Sequence, residues 1–213
     1  MGREFLEIFT EWAESYDSFV EGHDPQYKEV FRGYEGILED IVKKSGQRVL
    51  EFGIGTGNLT MKLIAAGKWV FAVEPSKQMR DLAKAKLGSK VQIHDGDLQA
   101  FPKPIQGVDA IVSSYVFHHL NDKEKAEAIE KYSEMLEPGG KIIFADTMFL
   151  SEEIRQEIAV KAAVAGFKDL HEDLEREYYP LIPHMKTIFE TAGFQVLFTQ
   201  YNEFVWIIEA TKK

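Results

Sequence analysis

The first 45 residues carry hydrophobic side chains at three- and four-residue intervals, the pattern of helices with one buried face. One such stretch is Phe5–Tyr16, and a second is Val30–Val42. The segment Gly22-His23-Asp24-Pro25 separates the two stretches. We expect the second helix to end at Ser45-Gly46, because glycine is common at helix C-termini. The pattern predicts an N-terminal region of helices.

From Gln47 onward, short apolar runs alternate with helical patterns and glycine turns. We predict strands over 48–52, 69–73, 91–94, 108–113 and 141–145, and helices over 58–66, 76–87 and 122–136. Alternation of this kind, with strands that are apolar throughout, is typical of a parallel sheet covered by helices on both faces.

The C-terminal third has a different order of elements. Three helices are predicted over 151–167, 170–179 and 183–192, followed by strands over 194–199 and 204–211. The tight Gln200-Tyr201-Asn202 connection indicates a hairpin, so we expect the last strand to enter the sheet antiparallel. No repeat or linker interrupts the chain, which predicts one domain over 1–213 with divisions at 1–45, 46–150, 151–180 and 181–213.

Composition narrows the possible functions. The chain has no cysteine, which excludes a disulfide scaffold, a thiolate zinc site and a cysteine nucleophile. Its net charge of −10 disfavours nucleic acid and anionic membranes as partners. No apolar run approaches the roughly 20 residues of a membrane span. Charged residues interrupt the N-terminal stretch where the apolar core of a signal peptide would lie. We therefore expect a cytoplasmic protein.

The most informative motif is the glycine loop Glu51-Phe52-Gly53-Ile54-Gly55-Thr56-Gly57-Asn58, between a strand and a helix. Glycines there allow a sharp turn and a close approach of the backbone to a ligand. A dinucleotide fingerprint would need glycine at Asn58, and the Glu51 carboxylate would repel a pyrophosphate. The loop favours a ligand with a cationic end; the alternative is a structural turn without a ligand.

A second carboxylate ends the next strand. Glu74 follows Glu51 by 23 residues, near the roughly 20 expected for an acid that binds a ribose diol. The alternative is a solvated strand-end glutamate.

These motifs resemble those of the class I S-adenosylmethionine-dependent methyltransferases, and more narrowly the YrrT group of uncharacterised methyltransferases from bacilli. The resemblance extends over nearly the whole chain and includes the stretches 51–60, 113–120 and 204–211. It implies an α/β, Rossmann-like fold: a seven-stranded, mostly parallel sheet with an antiparallel C-terminal strand, helices on both faces and an N-terminal helical lid over 1–45. It also implies that 46–150 is the cofactor-binding core.

The resemblance assigns nine residues to S-adenosylmethionine. Glu51 is expected near the amino group, Gly53 and Gly55 near the methionyl part and ribose, and Glu74 at the ribose hydroxyls. The remaining five are expected around the adenine or facing the cofactor: Pro75, Met79, Asp97, Leu98 and Ser113.

No motif fixes a catalytic residue, because a sulfonium methyl is already activated and positioning can supply most of the acceleration. A base is needed only if the acceptor must lose a proton, and His118, His119 and Asp146 are candidates. We expect Tyr16, with Trp12 on the same helix face, and His118 to contact a small-molecule acceptor. Packing roles are the alternative for each. No metal is expected, since no third ligand accompanies the two histidines at a suitable spacing.

Three other functions remain open from the sequence. The first is an S-adenosylmethionine-binding regulator without catalysis, and the second is a nicotinamide-dependent oxidoreductase, which Glu51 and Asn58 disfavour. The third is a nucleic-acid methyltransferase, which the net charge and the absence of an Asn-Pro-Pro-Tyr-type motif disfavour.

Overall fold

The computed structural model of the chain describes residues 16–213. Within them, seven strands form one sheet in the order β3-β2-β1-β4-β5-β7-β6. The strands are β1 Arg48–Phe52, β2 Trp69–Glu74, β3 Ile93–Asp95, β4 Ala110–Ser114, β5 Lys141–Thr147, β6 Phe194–Gln200 and β7 Val205–Lys212. Strands β1 to β5 pair in parallel, whereas β7 runs antiparallel to both of its neighbours. The predicted fold class is confirmed.

Helices cover both faces of this sheet. The α-helices are α1 Tyr16–Val20, α2 Tyr34–Lys44, α3 Asn58–Ala65, α4 Lys77–Leu87, α5 Asp122–Met135, α6 Glu152–Val164, α7 Lys168–Arg176 and α8 Ile182–Thr191. Because side chains of a strand alternate between faces, Val49 packs into one buried cluster and Leu50 into another. Helices α2, α3, α4, α6 and α7 contribute to the first cluster, and α5 and α8 to the second.

Residues 23–33 form turns, and so the second predicted helix begins only at Tyr34. Gly33 has a φ of +83°, and a Cβ there would lie 2.8 Å from the ring of Tyr201. The side-chain amide of Asn202 donates to the carbonyls of Val30 and Arg32 at 3.2 and 3.0 Å. The β6–β7 connection therefore supplies hydrogen-bond donors to backbone carbonyls that a helix would have satisfied itself. The apolar side chains of residues 23–33 can thus be buried without a helical backbone.

The first predicted helix and Trp12 lie mostly or wholly outside the described residues. No helix within residues 16–213 is both long and apolar enough to cross a membrane.

Candidate functional site

The carboxyl ends of β1, β2 and β4 border a cavity, which we call the first cavity. It holds about 650 Å³ of empty space, open solvent at its mouth included. Seven of the nine residues predicted to bind the cofactor line it, namely Gly53, Gly55, Glu74, Pro75, Met79, Asp97 and Leu98. Its other lining residues are Tyr16, Ser114, Tyr115, Val116 and His119.

Two glycines of the loop after β1 bring the backbone to the cavity wall. Gly53 and Gly55 have φ values of +62° and +55°, in the left-handed region that favours glycine. A Cβ on Gly53 would lie only 2.4 Å from Cγ2 of Val116. The loop can therefore present main-chain atoms to a ligand with no side chain between them.

Glu74 is buried at the end of β2, and both of its carboxylate oxygens accept backbone hydrogen bonds. The N–H of Gly55 donates to Oε2 at 3.0 Å, and the N–H of Ser76 donates to Oε1 at 2.8 Å. Burial raises the pKa of Glu74 to about 7, although the two hydrogen bonds oppose this shift. The carboxylate is thus fixed against the glycine loop, with lone pairs left for a ligand that carries hydroxyl groups.

Glu51 lies behind the glycine loop and does not line the first cavity. Its side chain is buried, and Oε2 accepts a hydrogen bond from the hydroxyl of Thr60 at 2.8 Å. Burial raises the pKa of Glu51 to about 8; the Thr60 bond opposes the shift, and the charge of Glu74 adds to it. The assignment of Glu51 to the amino group of the cofactor therefore stays a prediction.

Ser113 is also absent from the cavity wall, and Ser114 takes its place. The predicted fourth strand ends at Ser113, whereas β4 continues to Ser114. The contact of Ser113 with the cofactor stays a prediction. The Ser113 hydroxyl is fully buried, with no hydrogen-bond partner within the described residues.

Asp97 and Leu98 line the cavity where the chain leaves β3. The N–H groups of Gln99 and Ala100 donate to Oδ1 of Asp97 at 2.9 and 2.7 Å, which fixes the carboxylate in a local turn. The Leu98 side chain is buried beside it.

Tyr16 is held over the glycine loop by its neighbour Asp17. Oδ1 of Asp17 accepts bonds from the Thr56 hydroxyl at 2.6 Å and the Asn58 amide at 3.1 Å, and Oδ2 accepts one from Lys86 at 2.9 Å. Burial opposes ionisation of Asp17, but these bonds and the Lys86 charge lower its pKa overall. Tyr16 therefore keeps a defined place at the cavity.

A second cavity adjoins the first, and Tyr16, Tyr115 and His119 line both. It holds about 660 Å³ of empty space, solvent at the mouth included. Its remaining lining residues are Phe19, Tyr27, Val30, Phe31, His118, Thr147, Asp173, Arg176, Glu177 and Tyr179. The predicted acceptor residues Tyr16 and His118 therefore both line this cavity.

Tyr115 separates the two cavities in an unusual conformation. Its φ of +57° is the one positive value for a residue other than glycine within 16–213. Its N–H donates to the Ala145 carbonyl at 2.8 Å, and its hydroxyl donates to the Val30 carbonyl at 3.3 Å. Strained residues of this kind persist where their surroundings determine them, often at functional sites.

His118, in a short 3-10 turn after β4, and Asp146, near the end of β5, form a buried pair. Nδ1 of His118 lies 2.5 Å from Oδ1 of Asp146, and the His118 backbone N–H donates to Oδ2 at 3.1 Å. Burial alone would lower the pKa of His118, but the Asp146 charge and hydrogen bond raise it overall. Burial would raise the pKa of Asp146, and the His118 charge lowers it instead.

His119 pairs with a different carboxylate, Glu177, whose Oε2 lies 3.1 Å from Nδ1 of the ring. Burial lowers the pKa of His119, and the charge of His118 lowers it further, against the opposing effect of Glu177. Burial would raise the pKa of Glu177, but the His119 hydrogen bond and the His118 charge lower it. The two adjacent histidines are thus driven toward different protonation states.

Glu177 supplies the third potential metal ligand that the sequence analysis did not find. Single ligand atoms of His118, His119 and Glu177 all lie within 4.8 Å of one another. Local spacing could not reveal this cluster, because Glu177 follows His119 by 58 residues.

Lys125 connects the two segments that carry these side chains. It is fully buried, and its ammonium donates to the Leu120 carbonyl and, at 2.6 Å, to the Tyr178 carbonyl. Burial lowers the pKa of Lys125 to about 8. The turn with the histidines is therefore tied to the segment that follows Glu177.

Comparisons with known proteins agree with this architecture. Residues 49–140 match the family described as a methyltransferase domain. An uncharacterized methyltransferase from Anoxybacillus flavithermus is 58% identical over 213 residues, covering 100% of both chains. An uncharacterized methyltransferase from Bacillus licheniformis is 55% identical, again covering 100% of both chains.

Among solved structures, magnesium protoporphyrin IX methyltransferase from Synechocystis PCC 6803, with bound SAM, superposes with a TM-score of 0.67. It is 16% identical, with coverage of 98% of this chain and 97% of that one.

Proposed function

Because the chain belongs to the S-adenosylmethionine-dependent methyltransferases, we propose that it transfers a methyl group to a small molecule held in the second cavity. The observation that carries the proposal is the pair of joined cavities. The first is lined by the glycine loop and by Glu74, and the second opens beside it across Tyr115 and His119. Donor and acceptor can therefore meet without either cavity having to hold both.

The donor set of the first cavity fits S-adenosylmethionine. Glu74 offers a carboxylate, held by Gly55 and Ser76, for the two ribose hydroxyls. Gly53, which has no Cβ to collide with Val116, offers its main chain at the cavity wall for the methionyl part. Met79 and Leu98 offer apolar surface for the adenine, and Asp97 an acceptor for its amino group.

When bound, the cofactor supplies an activated methyl group on a positively charged sulfur. The chain's own task is then to orient the donor, hold the acceptor in line and exclude water. The buried carboxyl groups of Glu51 and Glu74 have raised pKa values, and a cationic ligand nearby favours the ionised form of both.

Calorimetric titration with S-adenosylmethionine tests the first half of the proposal. Glu74→Gln should weaken binding by about 1–3 kcal/mol, since the ribose loses a charged acceptor. Glu190→Gln, an exposed position on α8, is the matched control and should bind as the wild type does. Equal affinities for Glu74→Gln and the wild type would contradict the assignment of Glu74 to the ribose.

Formation of S-adenosylhomocysteine with a panel of small hydroxyl, amine and thiol compounds tests the second half. Turnover with any acceptor separates an enzyme from a non-catalytic regulator. Saturable binding of NAD without binding of S-adenosylmethionine would instead support the oxidoreductase.

A further inference from the structure

His119 occupies the boundary between the two cavities. It lines both of them, whereas His118 lines only the second. The two rings are in edge contact, with centroids 4.2 Å apart. A group at this boundary is placed to reach an acceptor atom that faces the donor.

Glu177 orients the His119 ring. Its carboxylate lies 3.1 Å from Nδ1, which leaves Nε2 as the basic nitrogen when Nδ1 carries the proton. The arrangement is that of a base held by a carboxylate, and His118 with Asp146 repeats it one residue earlier.

The surroundings of His118 and His119 shift the pKa values of the two rings in opposite directions. Asp146 favours the imidazolium of His118, whereas burial and that neighbouring positive charge favour neutral His119. Neighbouring groups whose pKa values are pushed apart commonly divide acid and base roles. Because His119 lines both cavities and His118 only the second, His119 is the ring placed to accept a proton from an acceptor that faces the donor.

We propose that His119 is the general base of the transfer, and that the acceptor is a small planar molecule whose weakly acidic, phenol-type hydroxyl gives its proton to this ring. The proposal rests on the proposed methyltransferase function and names its substrate class.

The step is balanced in atoms and electrons. The acceptor oxygen forms the new O–CH₃ bond, the S–CH₃ electron pair returns to sulfur to leave a neutral thioether, and the hydroxyl proton moves to His119. The imidazolium formed lies beside the Glu177 carboxylate, so a new positive charge meets an existing negative one.

The second cavity favours a neutral, aromatic acceptor. Its wall carries five aromatic side chains besides the histidines and Tyr16, namely Phe19, Tyr27, Phe31, Tyr115 and Tyr179, which suits ring stacking or edge contacts. Its charged groups already pair within the described structure. Asp173 accepts from the Tyr27 hydroxyl at 2.5 Å and from Arg176 at 2.5 Å, so its charge is balanced by a neighbouring cation.

The groups that set the charge around His119 come from four elements. They are His118 on the same turn, Asp146 at the end of β5, Lys125 on α5, and Asp173, Arg176 and Glu177 from α7 and the loop after it. Glu177 raises the pKa of His119, so its removal should extend activity to lower pH.

The first experiment uses 4-nitrophenol as a probe, because its phenolate is coloured. Binding of S-adenosylhomocysteine is measured first in the same full-length samples, so that failure of the proposed function is seen separately. The probe should bind the loaded protein with its apparent pKa lowered, and His119→Asn should remove that shift. His184→Asn, at an exposed position of α8, should behave as the wild type. Absence of binding at millimolar concentration, or an unchanged shift in His119→Asn, would overturn the proposal.

The second experiment measures turnover of substituted phenols, amines and thiols with S-adenosylmethionine. His119→Asn should lower kcat on phenols by about 100-fold or more at pH 7 with an unchanged KM for the cofactor, and the deficit should shrink as pH approaches ionisation of the phenol. Glu177→Gln should move the acid limb of kcat/KM to lower pH.

Three results would overturn the assignment. The first is methylation of amines or thiols but no phenol, which leaves the proposed function intact. The second is loss of the pH dependence in His118→Asn and not in His119→Asn. The third is a stoichiometric divalent metal in the purified protein whose removal abolishes activity, because the His118, His119 and Glu177 cluster would then be a ligand set.

Discussion

Binding of S-adenosylmethionine should release protons, because two buried carboxyls at the first cavity have raised pKa values in the free protein. Glu51 has a pKa of about 8 and Glu74 of about 7. At pH 7 the first is then about nine-tenths protonated and the second about half. A cationic ligand favours the ionised form of both.

The size of the release follows from the charge of the sulfonium. At a separation of about 6 Å and an effective dielectric constant of about 20, a unit charge contributes about 3 kcal/mol, or about two pKa units. Shifts of that size would leave both carboxyls almost fully ionised at pH 7. We therefore expect about 1.3 protons to be released for each S-adenosylmethionine bound, about 0.8 from Glu51 and about 0.5 from Glu74.

The assay is calorimetry at pH 7 in several buffers, since the apparent binding enthalpy then depends on the buffer's ionisation enthalpy. S-adenosylhomocysteine lacks the sulfonium charge and should release far less. Glu51→Gln should reduce the number of protons released to about half a proton, which is the contribution of Glu74. The glutamine amide that replaces the carboxyl group would still face the Thr60 hydroxyl. Equal release for both ligands, or no effect of Glu51→Gln, would refute the reasoning.

Three further predictions follow from the same structure. Gly53→Ala should destabilise the fold by about 1–3 kcal/mol in urea unfolding, because of its positive φ and a Cβ contact of 2.4 Å; Gly107→Ala, where nothing lies within 4 Å, is the control and should change stability little. Lys125→Met should lower the free energy of unfolding by about 1–3 kcal/mol for each carbonyl left without a donor, namely those of Leu120 and Tyr178. Wild-type stability in this variant would contradict a stabilising role of the Lys125 ammonium. The free protein should lose thermal stability as the pH rises from about 4.5 to about 8, because Glu51 and Glu74 have pKa values in the folded state above the unfolded value of 4.5. A melting temperature that does not change over this pH range would contradict the prediction.

The cofactor side of the site was predictable because its determinants are local. The glycine loop and Glu74 each sit at the end of an apolar strand, and parallel strands bring their carboxyl ends to one edge. The structure accordingly places Gly53, Gly55 and Glu74 on one cavity wall. The choice between Ser113 and Ser114 is harder to predict, because neighbouring strand residues face opposite sides of the sheet and the predicted strand ends one residue early.

The N-terminal turns were missed for a different reason. Hydrophobic spacing around Val30 resembles that of a helix, but the carbonyls there are bound by Asn202, about 170 residues away in sequence. A periodic pattern reports which side chains are buried and does not report which groups satisfy the backbone.

The second cavity, where we propose that the acceptor binds, shows why substrate identity is the hardest property to predict from this sequence. Its wall is assembled from α1, the turns before α2, the turn after β4, the end of β5 and the segment around α7. Glu177 acquires its role only because folding carries it to His119, and Lys125 holds its segment there through a backbone carbonyl. Substitutions in the α7 segment can therefore reshape the second cavity without altering the glycine loop or Glu74. Selectivity for the acceptor and affinity for the cofactor should accordingly respond to different sets of mutations.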